Sequence, residues 1–349
     1  MTEPDTTVEI PGVDLAAVTA WFETHVSGVV PPLGFDLITG GRSNLTFRVS
    51  DAAGADWVLR RPPLGHVLAT AHDMAREHRI IAALADTAVP VPEAIGICTD
   101  PEVNGVPFYV MEYLDGLVLR DAWAAQAVDP KVRANAGLSI ARTLAAIHAV
   151  DPDEVGLGDL GRKDGYIARQ LNRWNGQFEK ARTREVPEVT AAFERLSAAI
   201  PDQMGATIVH GDYRLDNTML HPDGEVMAVL DWEICTLGDP LADLGLLMVY
   251  WTGPGDAPTA WAGPATTAPG FPDRSELAAR YGEVSGRDLS QLDFYVAFAF
   301  WKLACIVEGV YARYLGGALG QRDPAELEPF KAQVEMAAAN AELLLEHLG

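Results

Sequence analysis

In the first third of the chain, short hydrophobic runs bounded by polar and glycine-containing segments are typical of β-strands. The runs that predict strands are residues 35–39, 45–50, 56–60, 94–98 and 107–113. The first three of them are separated only by short polar segments, so they predict an antiparallel meander. Two other segments, 13–26 and 71–84, have the spacing of amphipathic helices.

The rest of the chain is predicted to be mostly helical, with helices at 129–149, 163–182, 188–200, 239–251, 274–282, 290–315 and 324–348. Two strands, 206–210 and 225–233, are expected to be joined through the His-Pro-Asp-Gly turn at 221–224. Residues 252–272, which include Trp261, are too rich in Gly and Pro for regular structure. A segment of this kind predicts a functional lid or a disordered loop.

Length and charge narrow the class of protein. The chain has 349 residues, which is more than one hydrophobic core usually organises, so we expect two lobes, residues 1–113 and 114–349. Its formal net charge of −23 argues against nucleic acid or an anionic membrane as the main partner, since both need a basic surface. The apolar fraction of 48% is that of a folded globular protein.

Cysteine spacing and the start of the chain indicate a cytoplasmic protein. Cys98, Cys235 and Cys305 are far apart, which does not favour a disulfide framework or a zinc site. The chain starts with an acidic segment, unlike a secretion signal. No apolar run approaches the roughly 18 residues of a membrane span, so no membrane partner is expected. The oligomeric state does not follow from the sequence.

The segment His-Gly-Asp-Tyr-Arg-Leu-Asp-Asn at 210–217, followed by Val-Leu-Asp-Trp-Glu at 229–233, carries the strongest chemical pattern. Asp212, Asn217 and Asp231 supply oxygen ligands or bases at loop positions beside short strands. Mg²⁺ takes oxygen ligands, and phosphoryl transfer requires one carboxylate near the attacking hydroxyl and others on the metal. A single Asp or Asn in a turn usually bonds only to its own backbone, but the combined pattern favours a functional site.

At these motifs the chain resembles the aminoglycoside phosphotransferase and choline kinase family, relatives of the protein kinases. The similarity is greatest to the phosphotransferase domains that are fused to acyl-CoA dehydrogenases. The resemblance implies an α+β, bilobal, protein-kinase-like fold with an N-terminal antiparallel sheet lobe, one key helix and a larger helical C-terminal lobe. It also implies transfer of the γ-phosphoryl group of ATP to a hydroxyl of a small-molecule acceptor with Mg²⁺.

The resemblance further implies roles for individual residues in the second lobe. Asp212 is the expected catalytic base, and Asn217 and Asp231 are the expected Mg²⁺ ligands. Structural support is expected from His210, from Asp243 through backbone hydrogen bonds, and from Asp239, which is suited to cap the helix that starts at Pro240. Glu233 is left with two interpretations, a group that acts on the metal or an exposed acid at a strand end.

The expected nucleotide site begins at a glycine pair, where backbone N–H groups can approach phosphate oxygens because no Cβ intervenes. A plain hairpin turn is the alternative for this segment. Backbone groups of Glu112 and Leu114 are expected at the adenine edge, with Met111 behind the base. The glycine-rich candidates are Gly40, Gly41, Arg42, Ser43 and Asn44.

The phosphate-binding cation departs from the family pattern. No lysine precedes Lys131, so the position of the usual strand lysine falls to Arg60, with its neighbour Arg61 as the alternative. Glu77 lies beside the apolar stripe of its predicted helix and is the expected partner of Arg60. The alternative is an exposed Glu77 balanced by nearby arginines. Arg60 in place of lysine also supports a second hypothesis, a catalytically weak or inactive regulatory protein that binds nucleotide, although Asp212 and Asn217 are retained.

The charge of the acceptor follows less directly. The overall negative charge suits a polycation, whereas residues 162–184 contain seven basic and two acidic residues and suit an anion. A solvated helix that buries Tyr166, Trp174 and Phe178 is the alternative for that segment. The sequence favours an anionic or neutral acceptor by a small margin.

Overall fold

The computed structural model describes residues 10–38, 44–64, 73–257, 259, 264–318, 320 and 323–347. The chain divides into two compact units. One contains the described residues up to Asp115 together with Asp231–Glu233, and the other contains the rest. The first unit thus ends close to the expected lobe boundary at 113, but it also takes three residues from the second part of the chain.

An antiparallel five-stranded sheet forms the first unit, in the order β1-β2-β3-β5-β4. Its strands are β1 (Gly34–Leu37), β2 (Leu45–Ser50), β3 (Asp56–Arg61), β4 (Ala94–Cys98) and β5 (Phe108–Glu112). Its helices are α1 (Leu15–His25), α2 (Met74–Leu84) and the short α3 (Pro101–Asn104). The predicted strands and the two longer helices are therefore confirmed, whereas α3 was not predicted.

The core of the first unit fixes which side of β3 its side chains face. Trp21 and Phe22 of α1 pack in one cluster with Trp57 and Leu59 of β3. Because successive side chains of a strand point to opposite faces, Arg60 lies on the face away from this cluster. Strand register alone therefore separates Arg60 from Arg61.

The second unit is mainly helical, as predicted. Its helices are α4 (Ala122–Gln126), α5 (Pro130–Ala149), α6 (Tyr166–Ala181), α7 (Pro187–Ala198), α8 (Pro240–Tyr250), α9 (Arg274–Ser285), α10 (Leu292–Leu315) and α11 (Pro324–Glu346). Its strands are β6 (Thr207–Val209), β7 (Thr218–Leu220), β8 (Val226–Val229) and β9 (Thr236–Gly238). A 3₁₀ turn at Leu215–Asn217 lies between β6 and β7.

Strand pairing in the second unit differs from the prediction. The turn at 221–224 joins β7 to β8, and β6 pairs with β9. The expectation that this turn joins 206–210 to 225–233 was wrong, because β7 and β9, with three residues each, are too short to show an alternating pattern. The loop that carries Asp212 connects β6 to β7.

Helix α10 is long and apolar, with a mean hydropathy of 1.4 over an 18-residue window. The expectation that no apolar run approaches membrane-span length was therefore wrong. Of that window, 67% is buried inside the protein, where α10 packs against α8 and α11. A buried core helix has the same composition as a membrane span, so this is weak evidence for a membrane segment.

The Gly- and Pro-rich segment is partly regular. A 3₁₀ turn covers Pro264–Thr267, and the Thr266 hydroxyl donates to the Thr252 carbonyl at 2.8 Å. The prediction that the whole segment lacks regular structure was wrong here, because side-chain hydrogen bonds and burial order the backbone. Residues 258 and 260–263, including Trp261, lie outside the described residues.

Candidate functional site

The loop after β6 is held by Asp243 of α8. Its Oδ2 accepts the backbone N–H of His210 at 2.6 Å, and its Oδ1 accepts that of Gly211 at 2.8 Å. Gly211 has a φ of 86°, which favours glycine. The carboxylate and the loop are thereby fixed to one another, in the way the resemblance implied for Asp243.

Asp243 is buried, yet it is stabilised as a carboxylate. Burial acts to raise its pKa, but the hydrogen bonds from His148 and from the Gly211 N–H outweigh it, so the pKa lies below its usual value. Burial lowers the pKa of His148, whose Nε2 lies 3.4 Å from Asp243 Oδ2. This buried network makes the loop geometry depend on the ionised carboxylate.

His210 and Asp239 lie where supporting residues are expected. His210 is fully buried, with Nδ1 accepting the Asp212 N–H at 3.3 Å and Nε2 lying 3.0 Å from the Leu230 carbonyl. Asp239 caps α8 through the Leu241 N–H and accepts the Tyr295 hydroxyl at 2.7 Å. Because both ring nitrogens of His210 face backbone groups, it orients the loop.

Asp212 is the carboxylate at the centre of this loop. Asn217 donates its side-chain amide to Asp212 Oδ2 at 3.0 Å and to the Asp212 carbonyl at 2.8 Å. The Tyr250 hydroxyl donates to Oδ1 at 2.9 Å. The side chain of Asp212 keeps 29% of its surface exposed, so a fixed carboxylate is open to a ligand.

Two residues at this carboxylate were missed by the sequence prediction. Tyr250 ends α8, and burial together with the Asp212 charge raises its pKa well above the usual value, so it stays protonated as a donor. Arg214 Nε lies 3.8 Å from Asp212 Oδ2, and its guanidinium lies 5.2 Å from the Tyr250 ring centroid. Arg214 was visible inside the motif, whereas only the fold brings Tyr250 to Asp212.

In the first unit, Arg60 lies among three carboxylates. Its Nη2 is 2.5 Å from Asp231 Oδ1 and 3.9 Å from Glu233 Oε2, and its Nε is 3.3 Å from Glu77 Oε2. The predicted pairing of Arg60 with Glu77 is present, and the alternative of an exposed Glu77 is wrong because Glu77 is only 1% exposed. Arg60 and these three acids form what we call the Arg60 cluster. Because it has three acids for one guanidinium, it favours a further cation.

Arg61 is directed to different partners. It is 5% exposed, and it donates Nε to the Pro62 carbonyl at 3.0 Å and Nη1 to the Gly12 carbonyl. Burial lowers its pKa. Of the two arginines, it is therefore Arg60 that contacts the acids of the Arg60 cluster.

Burial raises the pKa of Glu77, and it outweighs the opposing effect of the Arg60 guanidinium. Tyr109, whose pKa is raised well above its usual value mainly by burial, also faces Glu77. Because a buried carboxylate needs a cation, the ion pair ties the position of α2 to that of Arg60.

The segment around Asp231 has an unusual backbone. Asp231 has a φ of 66°, and among the described residues it is the one non-glycine with positive φ. That conformation costs about 1 kcal/mol, and residues held in it cluster at functional sites. Glu233, 18% exposed, accepts the Asn44 amide at 3.2 Å. It is thus a bonded member of the Arg60 cluster, and the interpretation as an exposed strand-end acid was wrong.

The remaining predicted nucleotide residues are less fully described. Gly40, Gly41, Arg42 and Ser43 lie outside the described residues. Met111 is buried on β5, and the Glu112 N–H is donated to the Glu93 carbonyl at 2.9 Å. Any contact of Glu112 with a base edge would therefore use its carbonyl.

The donor set can be compared with what Mg²⁺ requires. Within the described residues no group of three His, Cys, Asp or Glu side chains forms a metal site. Mg²⁺ bound to a nucleotide commonly takes only one or two protein ligands, because phosphates and waters complete its shell. Asn217 uses its amide nitrogen towards Asp212, which leaves its amide oxygen for a cation. Asn217 and Asp231 each carry a side-chain oxygen of the kind that Mg²⁺ prefers.

Helix α6 lies within the basic segment, residues 162–184, and is amphipathic. Tyr166 and Phe178 are buried, as the solvated-helix alternative predicted, while Arg173 is exposed. Trp174 is only partly buried, and its ring centroid lies 5.5 Å from the Arg173 guanidinium and 5.8 Å from Nζ of Lys302 on α10. The basic segment thus places the Trp174 ring beside two cationic side chains.

The sequence profile of the phosphotransferase enzyme family matches residues 35–284. The chain belongs to this family. Its α+β organisation, with an antiparallel five-stranded sheet in the N-terminal region and a helical remainder, is that of its kinase-like structural neighbours. The family resemblance inferred from the motifs is confirmed.

Acyl-CoA dehydrogenase family member 10 of Mus musculus is 37% identical over 298 residues, covering 84% of this chain. Acyl-CoA dehydrogenase family member 11 of Homo sapiens is 33% identical over 318 residues, covering 89% of this chain. The chain spans 27% to 41% of the length of the curated relatives it matches. It corresponds to one part of those longer proteins.

A solved structure from Ralstonia eutropha JMP134, provisionally assigned as an aminoglycoside phosphotransferase, is 34% identical with a TM-score of 0.79. It covers 95% of this chain and 98% of its own. A thermostable variant of aminoglycoside phosphotransferase APH(4)-Ia, in complex with ADP and hygromycin B, shares the fold at 15% identity, a TM-score of 0.59 and coverage of 94% and 97%.

Proposed function

We propose that this phosphotransferase-family protein moves the γ-phosphoryl group of ATP to a hydroxyl of a small-molecule acceptor with Mg²⁺. The observation that carries the proposal is the Asp212 carboxylate, fixed by Asn217 and Tyr250 and still 29% exposed. A positioned, accessible carboxylate is what a general base for an attacking hydroxyl requires.

In this mechanism Asp212 accepts the proton of the acceptor hydroxyl. Tyr250 and the Asn217 amide hold its two oxygens, so the carboxylate does not have to reorient as the proton moves. Arg214, 3.8 Å from Asp212, adds positive charge beside the group that is transferred. Asp243 maintains the loop through two backbone hydrogen bonds.

Asn217 and Asp231 would hold Mg²⁺, and Arg60 would bind the nucleotide phosphates. When bound, Mg²⁺ neutralises phosphate charge and stabilises the negative charge of the transition state. The Arg60 cluster has three acids for one cation, so it repels free nucleotide phosphate more than the Mg²⁺ complex. We therefore expect nucleotide binding to require the metal.

For the acceptor, two sources guide the choice of compounds. The structural neighbour in complex with hygromycin B suggests aminoglycosides, and the curated relatives named acyl-CoA dehydrogenase family members suggest hydroxyacyl-CoA compounds. The test is ATP consumption with a panel of aminoglycosides, amino alcohols, sugars and hydroxyacyl-CoA compounds. A product that carries new phosphate on a hydroxyl supports the proposal.

The second candidate is a nucleotide-binding regulator with little or no transfer activity. It is favoured by the ion pair of Arg60 with Asp231 at 2.5 Å, which engages an expected metal ligand. Tight Mg·ATP binding without turnover on any acceptor of the panel would establish this candidate and contradict the first.

A further inference from the structure

Lys302 of α10 lies directly beside the catalytic loop. Its Nζ is 3.5 Å from the carbonyl oxygen of Gly211, the residue before Asp212. The same Nζ lies 5.8 Å from the centroid of the Trp174 ring on α6. The ammonium group therefore lies between the loop and the basic helix, all within the second unit.

The ammonium group of Lys302 has few hydrogen-bond partners among the described residues. Among the described residues no carboxylate lies within 4.0 Å of it, and its hydrogen bond to Gly211 is long, although an ammonium group has three donors. Asp243 is nearby, but its oxygens already accept the His210 and Gly211 N–H groups. Lys302 is half-buried, and a cation that is partly withdrawn from water without an anion is costly, so the site favours an anionic partner.

The charges around Lys302 also favour an anionic partner. Burial lowers its pKa, although Asp212 and Asp243 act to raise it, and Arg173 lowers it further as a like charge. Arg173 lies 5.5 Å from the Trp174 ring centroid, so two cations converge on one aromatic ring. An anion bound near both would offset their repulsion and use the free donors of Lys302.

We propose that Lys302 binds an anionic group, phosphate or carboxylate, that the acceptor carries near its reacting hydroxyl, with Arg173 as a second contact. The inference rests on the proposed function and deepens it by giving the acceptor its charge. A polycationic acceptor is disfavoured, because it would meet two cations beside Asp212. Arg169 is not assigned to this site, and its Nη2 donates to the Arg162 carbonyl at 2.6 Å.

One experiment uses inorganic phosphate and needs no acceptor. The chain has five lysines, so reductive ¹³C-dimethylation gives few NMR signals. The signal that disappears in Lys302→Arg is assigned to Lys302. We expect phosphate to shift the Lys302 signal in a saturable way and to raise the pKa of its amine, while exposed Lys180 on α6 serves as the control. A Lys302 signal that does not move, or moves no more than that of Lys180, would overturn the inference.

The second experiment uses the acceptor found in the panel screen. Lys302→Met is expected to raise the KM for the acceptor by roughly 10- to 100-fold, the range for a lost charged hydrogen bond, with the KM for ATP nearly unchanged. Lys302→Arg restores most of the affinity, and Lys180→Met changes neither constant. A loss of kcat with unchanged acceptor KM would instead show that Lys302 only supports the Gly211 carbonyl.

The two proposals fail in different ways. If the wild-type protein transfers phosphate to no acceptor, the proposed function fails, while the phosphate titration still decides whether Lys302 binds an anion. If transfer occurs but Lys302→Met weakens ATP instead of the acceptor, the function stands and the assignment of Lys302 to the acceptor is wrong.

Discussion

The Tyr250 hydroxyl donates a hydrogen bond to Oδ1 of Asp212 at 2.9 Å, across 38 positions of the chain. It links the end of α8 to the loop after β6. The same helix carries Asp243, which holds the start of that loop through the backbone N–H groups of His210 and Gly211. One helix thus fixes both the backbone and the carboxylate of the expected base.

Tyr250→Phe removes this hydrogen bond and keeps the ring. We expect kcat to fall by about tenfold, because one hydrogen bond to a charged group is lost, with little change in ATP affinity. Steady-state kinetics with both substrates measures the effect, and Tyr314→Phe on α10 is the control. An unchanged kcat would show that Asn217 alone orients Asp212.

Asn217→Ala and Asp231→Ala each remove one oxygen ligand that is proposed for Mg²⁺. Both variants are expected to weaken Mg²⁺-dependent ATP binding, measured by calorimetry at several Mg²⁺ concentrations. Asp202→Asn, at an exposed position of the second unit, is the matched control. Wild-type Mg·ATP affinity in both variants would remove them from the metal site.

Arg60→Ala is expected to weaken ATP binding more than Arg61→Ala, because only Arg60 faces the acidic cluster. It also leaves buried Glu77 unpaired, which costs about 3 to 5 kcal/mol of stability. Arg60→Lys retains the charge, so it separates phosphate binding from folding. Calorimetry with ATP, alongside thermal unfolding, gives the order of the variants, and the reverse order would contradict the assignment.

Asp243→Asn tests whether the ionised carboxylate of Asp243 stabilises the loop, through the pH dependence of the free energy of unfolding. The folded-state pKa of Asp243 is lowered, so its contribution to stability is present above the unfolded pKa of about 3.9 and is lost as pH falls through the lower folded value. The variant is expected to be less stable by about 2 kcal/mol above pH 5, and the difference should shrink below about pH 4. Urea unfolding of both proteins across this range measures it, and a pH-independent difference would contradict the ionised network.

Much of the site was predictable because its chemistry is local in sequence. Asp212, Asn217 and His210 fall within one eight-residue motif, and the stripe on α2 predicted Glu77 facing the sheet. The choice between Arg60 and Arg61 needed the register of β3, which the burial of Leu59 in the core decides. A one-residue shift would have reversed it.

Long-range contacts could not be predicted in the same way. Tyr250 and Lys302 are ordinary helix residues in the sequence, and only the packing of α8 and α10 brings them to the Asp212 loop. The strands β7 and β9 were missed because their three residues show no period, and their pairing depends on the fold.

The most direct test of the central claim is phosphoryl transfer by Asp212→Asn. Asparagine keeps the shape of the side chain and removes the base, so we predict nearly unchanged folding and Mg·ATP binding, with kcat lower by about two orders of magnitude or more. A variant that folds, binds nucleotide and retains most of the wild-type kcat would contradict Asp212 as the catalytic base.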